Sequence, residues 1–227
     1  ESPLFRDAWI GNVEAADAYN DPGRFTAFIG YEWTSGAAFN LHRNVIFRDG
    51  GDLARQVLPL TILPPFGSSL DTDLYAWMAA YEEKTGGDVL AIAHNGNLSN
   101  GLMFPTEMQP LTEIPVDPAY VEARARWEPL YEVTQMKGTG ETTPFLSPND
   151  ELANFEIWDA GNLDLTQPKT PEMLPHEYAR SALALGLQLE QKFGTNPYKF
   201  GMAGGTDSHT GLSTTDEDNF WGKVAPM

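Results

Sequence analysis

The chain has 227 residues and a formal charge of −18, with 32 Asp and Glu against 14 Lys and Arg. That length supports one sizeable core, and so few cations exclude nucleic-acid binding through a general basic surface. The absence of cysteine excludes disulfide frameworks, zinc fingers, iron–sulfur ligation and a thiol nucleophile. The hydrophobic content of 41% is that of a globular protein. No apolar run reaches membrane-spanning length, so no membrane insertion is expected. Nothing reads as a linker, and residues 1–227 are taken as a single domain. An anionic substrate would need a local positive centre in so acidic a chain, and a divalent ion could supply it.

In chain order, the start ESPLFRDAW has no leader and reads as the middle of a longer or processed protein. RFTAFIGY, Arg24 to Tyr31, has the aromatic and branched content of a buried strand, and Asn44 to Phe47 continues as a second. Leu74, Trp77, Met78 and Tyr81 fall at helical spacing within Asp71–Thr85, with Gly86-Gly87 as a stop. DVLAIA, Asp88 to Ala93, is a short apolar strand, and LYEVTQ, Leu130 to Gln135, is another. Ser147-Pro148 with Glu151 predicts a capped helix through about Ile157. A longer helix is predicted from near Pro175 to Phe193, ending at Gly194, before a last strand at Lys199–Ala203. Segments 61–72, 94–118 and 136–150 read as long loops.

This alternation favours an α/β fold with a parallel sheet or barrel, whose strands present their carboxyl ends on one face. The candidate ligands fall at such ends. Glu32 follows the first strand, His94 follows DVLAIA, and Asp207 and His209 follow KFGMA. His42, beside Arg43, can return to the same region. An Asp-x-His alone is a weak signal, but its convergence with the other strand ends is not. Neutral imidazole and carboxylate without thiolate suit Zn, Mn or Fe in a site open to water, and a bridging carboxylate lets two ions sit close together. Gly204-Gly205 and Asn95-Gly96 allow close backbone approach. Arg43 and Lys137 are candidate oxyanion contacts, placed with the catalytic groups. Asn95, Asn97 and Gln135 are candidate substrate-binding groups. His176 reads as structural or solvent-exposed, and the acidic run Asp216–Phe220 as a solvated loop close to the ligand motif.

The segments GYEWTS (Gly30–Ser35), NLHRNVIFRDG (Asn40–Gly50), AHNGNLSNG (Ala93–Gly101), EVTQMKGTGET (Glu132–Thr142) and FGMAGGTDSHTG (Phe200–Gly211) resemble the PHP (polymerase and histidinol phosphatase) superfamily of metal-dependent phosphoesterases. They resemble more closely its branch known as the domain of unknown function 3604. The resemblance runs from about Phe25 to Lys223. It implies a distorted (β/α)7 barrel with two or three divalent ions at the carboxyl ends of its strands. By the same resemblance, Glu32 is similar to the bridging glutamate, His42 to the histidine that follows it, His94 to the histidine of the third motif, and Asp207 with His209 to the closing Asp-x-His.

The superfamily's opening His-x-His is missing: no two of His42, His94, His176 and His209 are two apart. Either an upstream segment of the same protein supplies it, leaving the barrel of this chain incomplete on its N-terminal side, or the site is degenerate. The function expected is hydrolysis of a small anionic ester, foremost a phosphoric ester, by metal-activated water. The alternatives are a non-phosphate ester or amide as substrate, and a non-catalytic or degenerate metal-binding module. The resemblance also favours a periplasmic or secreted location.

Overall fold

The computed structural model describes residues 2–35, 38–63, 65–209 and 216–219. It is a mixed α/β fold built on one six-stranded sheet. Helix α1 (Pro3–Tyr19) precedes β1 (Gly30–Trp33) and β2 (Arg43–Phe47). Helices α2 (Gly51–Ala54) and α3 (Asp71–Thr85) lead to β3 (Val89–Ala93). Then come α4 (Pro118–Trp127), β4 (Leu130–Gln135), the short β5 (Gly138–Thr139), α5 (Ala179–Phe193) and β6 (Gly201–Gly204).

The sheet is only partly parallel. Strand β1 pairs antiparallel with β2, and β2 antiparallel with β3, whereas β3–β4 and β4–β6 are parallel. It is also open, since among the described residues no pairing joins β1 to β6. A closed (β/α)7 barrel is therefore not what these residues form. The mixed pairing still delivers one rim. Strands β1, β3, β4 and β6 run the same way, and β2 runs against them, so their carboxyl ends and the start of β2 lie at one end of the sheet.

Alternation along the strands separates core from site. Trp33, Arg43, Ala93 and Tyr131 stand in one register row, and Tyr31, Val45 and Ala91 in another on the same face. Against that face α1 and α3 pack Trp9, Trp77 and Tyr81, giving an aromatic cluster with Tyr31 and Phe47 whose ring centroids lie 5.0–6.5 Å apart. Edge-to-face geometry adds about 0.5–1.5 kcal/mol per pair beyond burial. Among the described residues, no helix is long and apolar enough to cross a membrane.

Helix α3 has the predicted bounds. Asp71 and Asp73 lie in its first turn, Lys84 in its last, and Gly86 closes it in the left-handed region at φ 70°. Other segments differ from the sequence reading. The first strand is displaced from Arg24–Tyr31 to Gly30–Trp33: Asp21 turns onto Phe25, the Asn20 side chain takes the Ala27 N–H, and Phe25 and Phe28 are exposed. Residues 147–157 form turns rather than a helix. Asp150 binds the Leu152 N–H and pairs with Arg180, and the exposed Leu152 and Phe155 offer no buried stripe. The long helix starts at Ala179, with Pro175 inside a separate 3₁₀ turn at Leu174–His176. Helices α1 and α4 had no counterpart in the sequence reading.

Candidate metal centre

At the shared rim the site face of the sheet collects Glu32, His42, His94, Asp207 and His209. The register explains how. Because Arg43 pairs with Ala93, the preceding His42 and following His94 face each other across β2 and β3. Their rings cross edge-on with centroids 5.9 Å apart. Glu32, on the same face of β1, reaches both: its Oε1 lies 2.9 Å from His42 Nδ1 and 3.2 Å from His94 Nε2. Its Oε2 lies 3.9 Å from His209 Nε2, and His209 Nδ1 is 3.5 Å from Asp207 Oδ1. The donors thus form two triads, Glu32–His42–His94 and Glu32–Asp207–His209. Within each, the ligand atoms lie within 4.8 Å of one another, and Glu32 belongs to both.

The surroundings prepare these groups for a cation. Burial pushes the Glu32 carboxyl up, but the hydrogen bonds from His42 and His94 outweigh it and hold it well below the usual carboxylate range. Burial lowers His42 despite Glu32, which keeps the imidazole neutral as ligation requires. Asp207 and His209 both adopt left-handed backbone, at φ 50° and 61°, as does Asn95 at φ 54°. Asp and His occupy that region at a cost, and such strain gathers at binding sites. The donor chemistry, imidazole and carboxylate without sulfur, fits a hard or borderline divalent ion.

The flanking candidates divide. Lys137 reaches the cluster, pairing through Nζ with Asp207. Gln135 Nε2 donates to Asp207 Oδ2 at 3.1 Å and also contacts Asn95 Oδ1, so Gln135 acts on Asp207 and Asn95 acts on Gln135. Asn97 is not brought to the cluster. Fully buried, it donates to the backbone carbonyls of Lys137 at 3.0 Å and Trp158 at 2.7 Å, holding two loops together. Nor is Arg43: on the core face, with no exposed surface, it pairs with Glu128 at 2.8 Å and Asp71 at 3.8 Å. Alternation decides this, because adjacent residues of a strand face opposite ways and His42 takes the site side. His176 is structural, its Nδ1 lying 2.8 Å from the Phe104 carbonyl. Residues 216–219 include a 3₁₀ turn, and Phe220 lies outside the described residues, as do Thr210 and Gly211 after the Asp-x-His motif.

A further carboxylate escaped the sequence reading. Glu132 of β4 follows Tyr131, which pairs with Ala93, and so stands beside His94 on the site face. Burial raises its pKa against the opposing influence of His94 and Lys137. Its one sequence signal was the alternation of LYEVTQ, with Glu132 out of phase with the core-facing Tyr131. Gly205 lets the chain pass close to it, since a Cβ there would meet Glu132 Oε2 at 3.0 Å.

The profile described as "Protein of unknown function (DUF3604)" matches residues 1–227. The chain belongs to the DUF3604 family. A search of the curated proteins and one of the solved structures each gave no match. For this DUF3604 chain, activity is argued from the site itself.

Proposed function

We propose that the chain is a hydrolase of small anionic esters, foremost phosphoric esters, that depends on divalent cations held by Glu32, His42, His94, Asp207 and His209. The observation that carries this reading is the sharing of Glu32 between two donor triads, the arrangement by which one carboxylate brings two ions together. Such ions, when bound, supply an activated water near neutral pH and neutralise charge on the ester. His42 and His94 hold Glu32 Oε1, His209 lies on the Oε2 side, and Asp207 is held by Gln135 and Lys137. Lys137, which pairs with Asp207 at the edge of the cluster, is the cation we assign to the substrate's anionic oxygens.

The finer fold reading, an incomplete PHP-like barrel, belongs to this proposal. A cavity of about 440 Å³ flanks β1, is lined by Trp9, Tyr31, Leu60 and Glu32, and opens beside the cluster. A further strand there, carrying His-x-His, would complete the donor set. The test is hydrolysis of p-nitrophenyl phosphate and p-nitrophenyl acetate by the metal-free protein and after addition of Mn²⁺ or Zn²⁺. Cation-dependent turnover of the phosphate ester supports the proposal. Turnover of the acetate alone moves the substrate class, and stoichiometric metal without turnover of either favours a binding module.

A further inference from the structure

We propose that Glu132 belongs to the cation site as its third anionic group, an unpaired carboxylate held on the His94 side so that its charge faces the bound ion. The inference rests on the cation-site reading above. Glu132 Oε1 is buried and has no hydrogen-bond partner. A buried carboxylate without a partner is costly, and native structures keep one where an ion or ligand completes it. The position is built rather than incidental. In-register pairing of β3 and β4 sets Glu132 beside His94 on the site face. Gly205, at the start of the loop that carries Asp207 and His209, leaves just enough room for the carboxylate.

Glu132 lies outside the two triads whose atoms fall within 4.8 Å, so it acts from beside His94, adding negative charge to the face where the cation binds. A residue of this kind weakens the metal-free protein and strengthens the loaded one. Its truncation therefore moves the two states in opposite directions, which no purely structural residue does.

The experiment is calorimetric titration of Mn²⁺ into the metal-free chain and its Glu132→Gln and Glu132→Asp variants, with thermal melts in EDTA. We expect Glu132→Gln to bind Mn²⁺ about 10-fold or more weakly, to melt higher than the parent in EDTA, and to recover part of the affinity as Glu132→Asp. Equal Mn²⁺ affinity in parent and Glu132→Gln overturns the role of Glu132 and leaves the five-residue site standing. A lower melt of Glu132→Gln in EDTA makes Glu132 structural and overturns it too. A parent that binds no Mn²⁺ overturns the site reading itself, and this inference with it.

Discussion

Replacing Arg43 by Met separates a core role from a catalytic one. Met keeps an unbranched apolar stem on β2 and removes only the guanidinium. In the folded chain that group has no exposed surface, and its loss leaves Glu128 with Arg124 at 3.0 Å and the Tyr75 hydroxyl at 2.6 Å, and Asp71 with the Tyr120 hydroxyl at 2.8 Å. Removing one partner from a buried ion pair costs about 3–5 kcal/mol, because the remaining charge stays desolvated. At this chain length each kcal/mol moves the melting temperature by about 2–4 °C, so a fall of roughly 6–20 °C is expected. The assay is a calorimetric melt of the metal-free protein at pH 7, paired with Mn²⁺ titration. A large drop in melting temperature with unchanged Mn²⁺ affinity is expected. A melt within about 2 °C of the parent, with phosphate-ester turnover lost, would refute it and return the guanidinium to the site.

Acid should act on the same network. Burial pushes Glu128 up, but Arg124 and Arg43 outweigh it and hold its folded pKa below the ordinary 4.5. The unfolded chain then binds the proton more tightly, so the stability from this carboxylate is complete above about pH 4.5 and is lost as pH falls through the folded value. Glu128→Gln should thus melt well below the parent at pH 7, with the gap closing in melts taken below pH 4.5. Asp207→Asn keeps shape and removes a negative donor, so Mn²⁺ affinity measured by titration should fall about 10-fold or more, and the EDTA melt should also fall because Lys137 loses its partner. Asn97→Ala leaves the Lys137 and Trp158 carbonyls buried without their donor, about 1–3 kcal/mol each, and should appear as a lower melting temperature.

What the sequence made legible was the chemistry at strand ends. His94, Asp207 and His209 follow strands that pair in parallel with β4, and each is announced by a short apolar run, although β6 stays largely exposed where β3 alternates buried and half-buried positions. The helix Asp71–Thr85 was legible for a local reason, its acidic first turn and glycine stop. The direction of β2 was not, since nothing in NVIF distinguishes a return strand from a crossover, and the antiparallel pairing of β2 with both β1 and β3 is a tertiary fact. Arg43 shows the same limit. Its neighbour His42 drew it toward the site on paper, while strand alternation turns it into the core. Helix α4 carried a readable start, Asp117-Pro118, whose side chain caps the Tyr120 N–H at 2.8 Å. Glu132 could not be singled out without register, because only the pairing of Tyr131 with Ala93 puts it beside His94.

The most direct test of the central claim, that Glu32 is shared between two cation-binding triads, is metal stoichiometry. The parent chain and Glu32→Gln are to be loaded with Mn²⁺ or Zn²⁺, freed of excess, and analysed for bound metal, with circular dichroism as a check on folding. More than one equivalent is expected on the parent, with loss from both triads at once in the folded variant. A parent without stoichiometric metal, or a Glu32→Gln variant that retains the full complement, contradicts it.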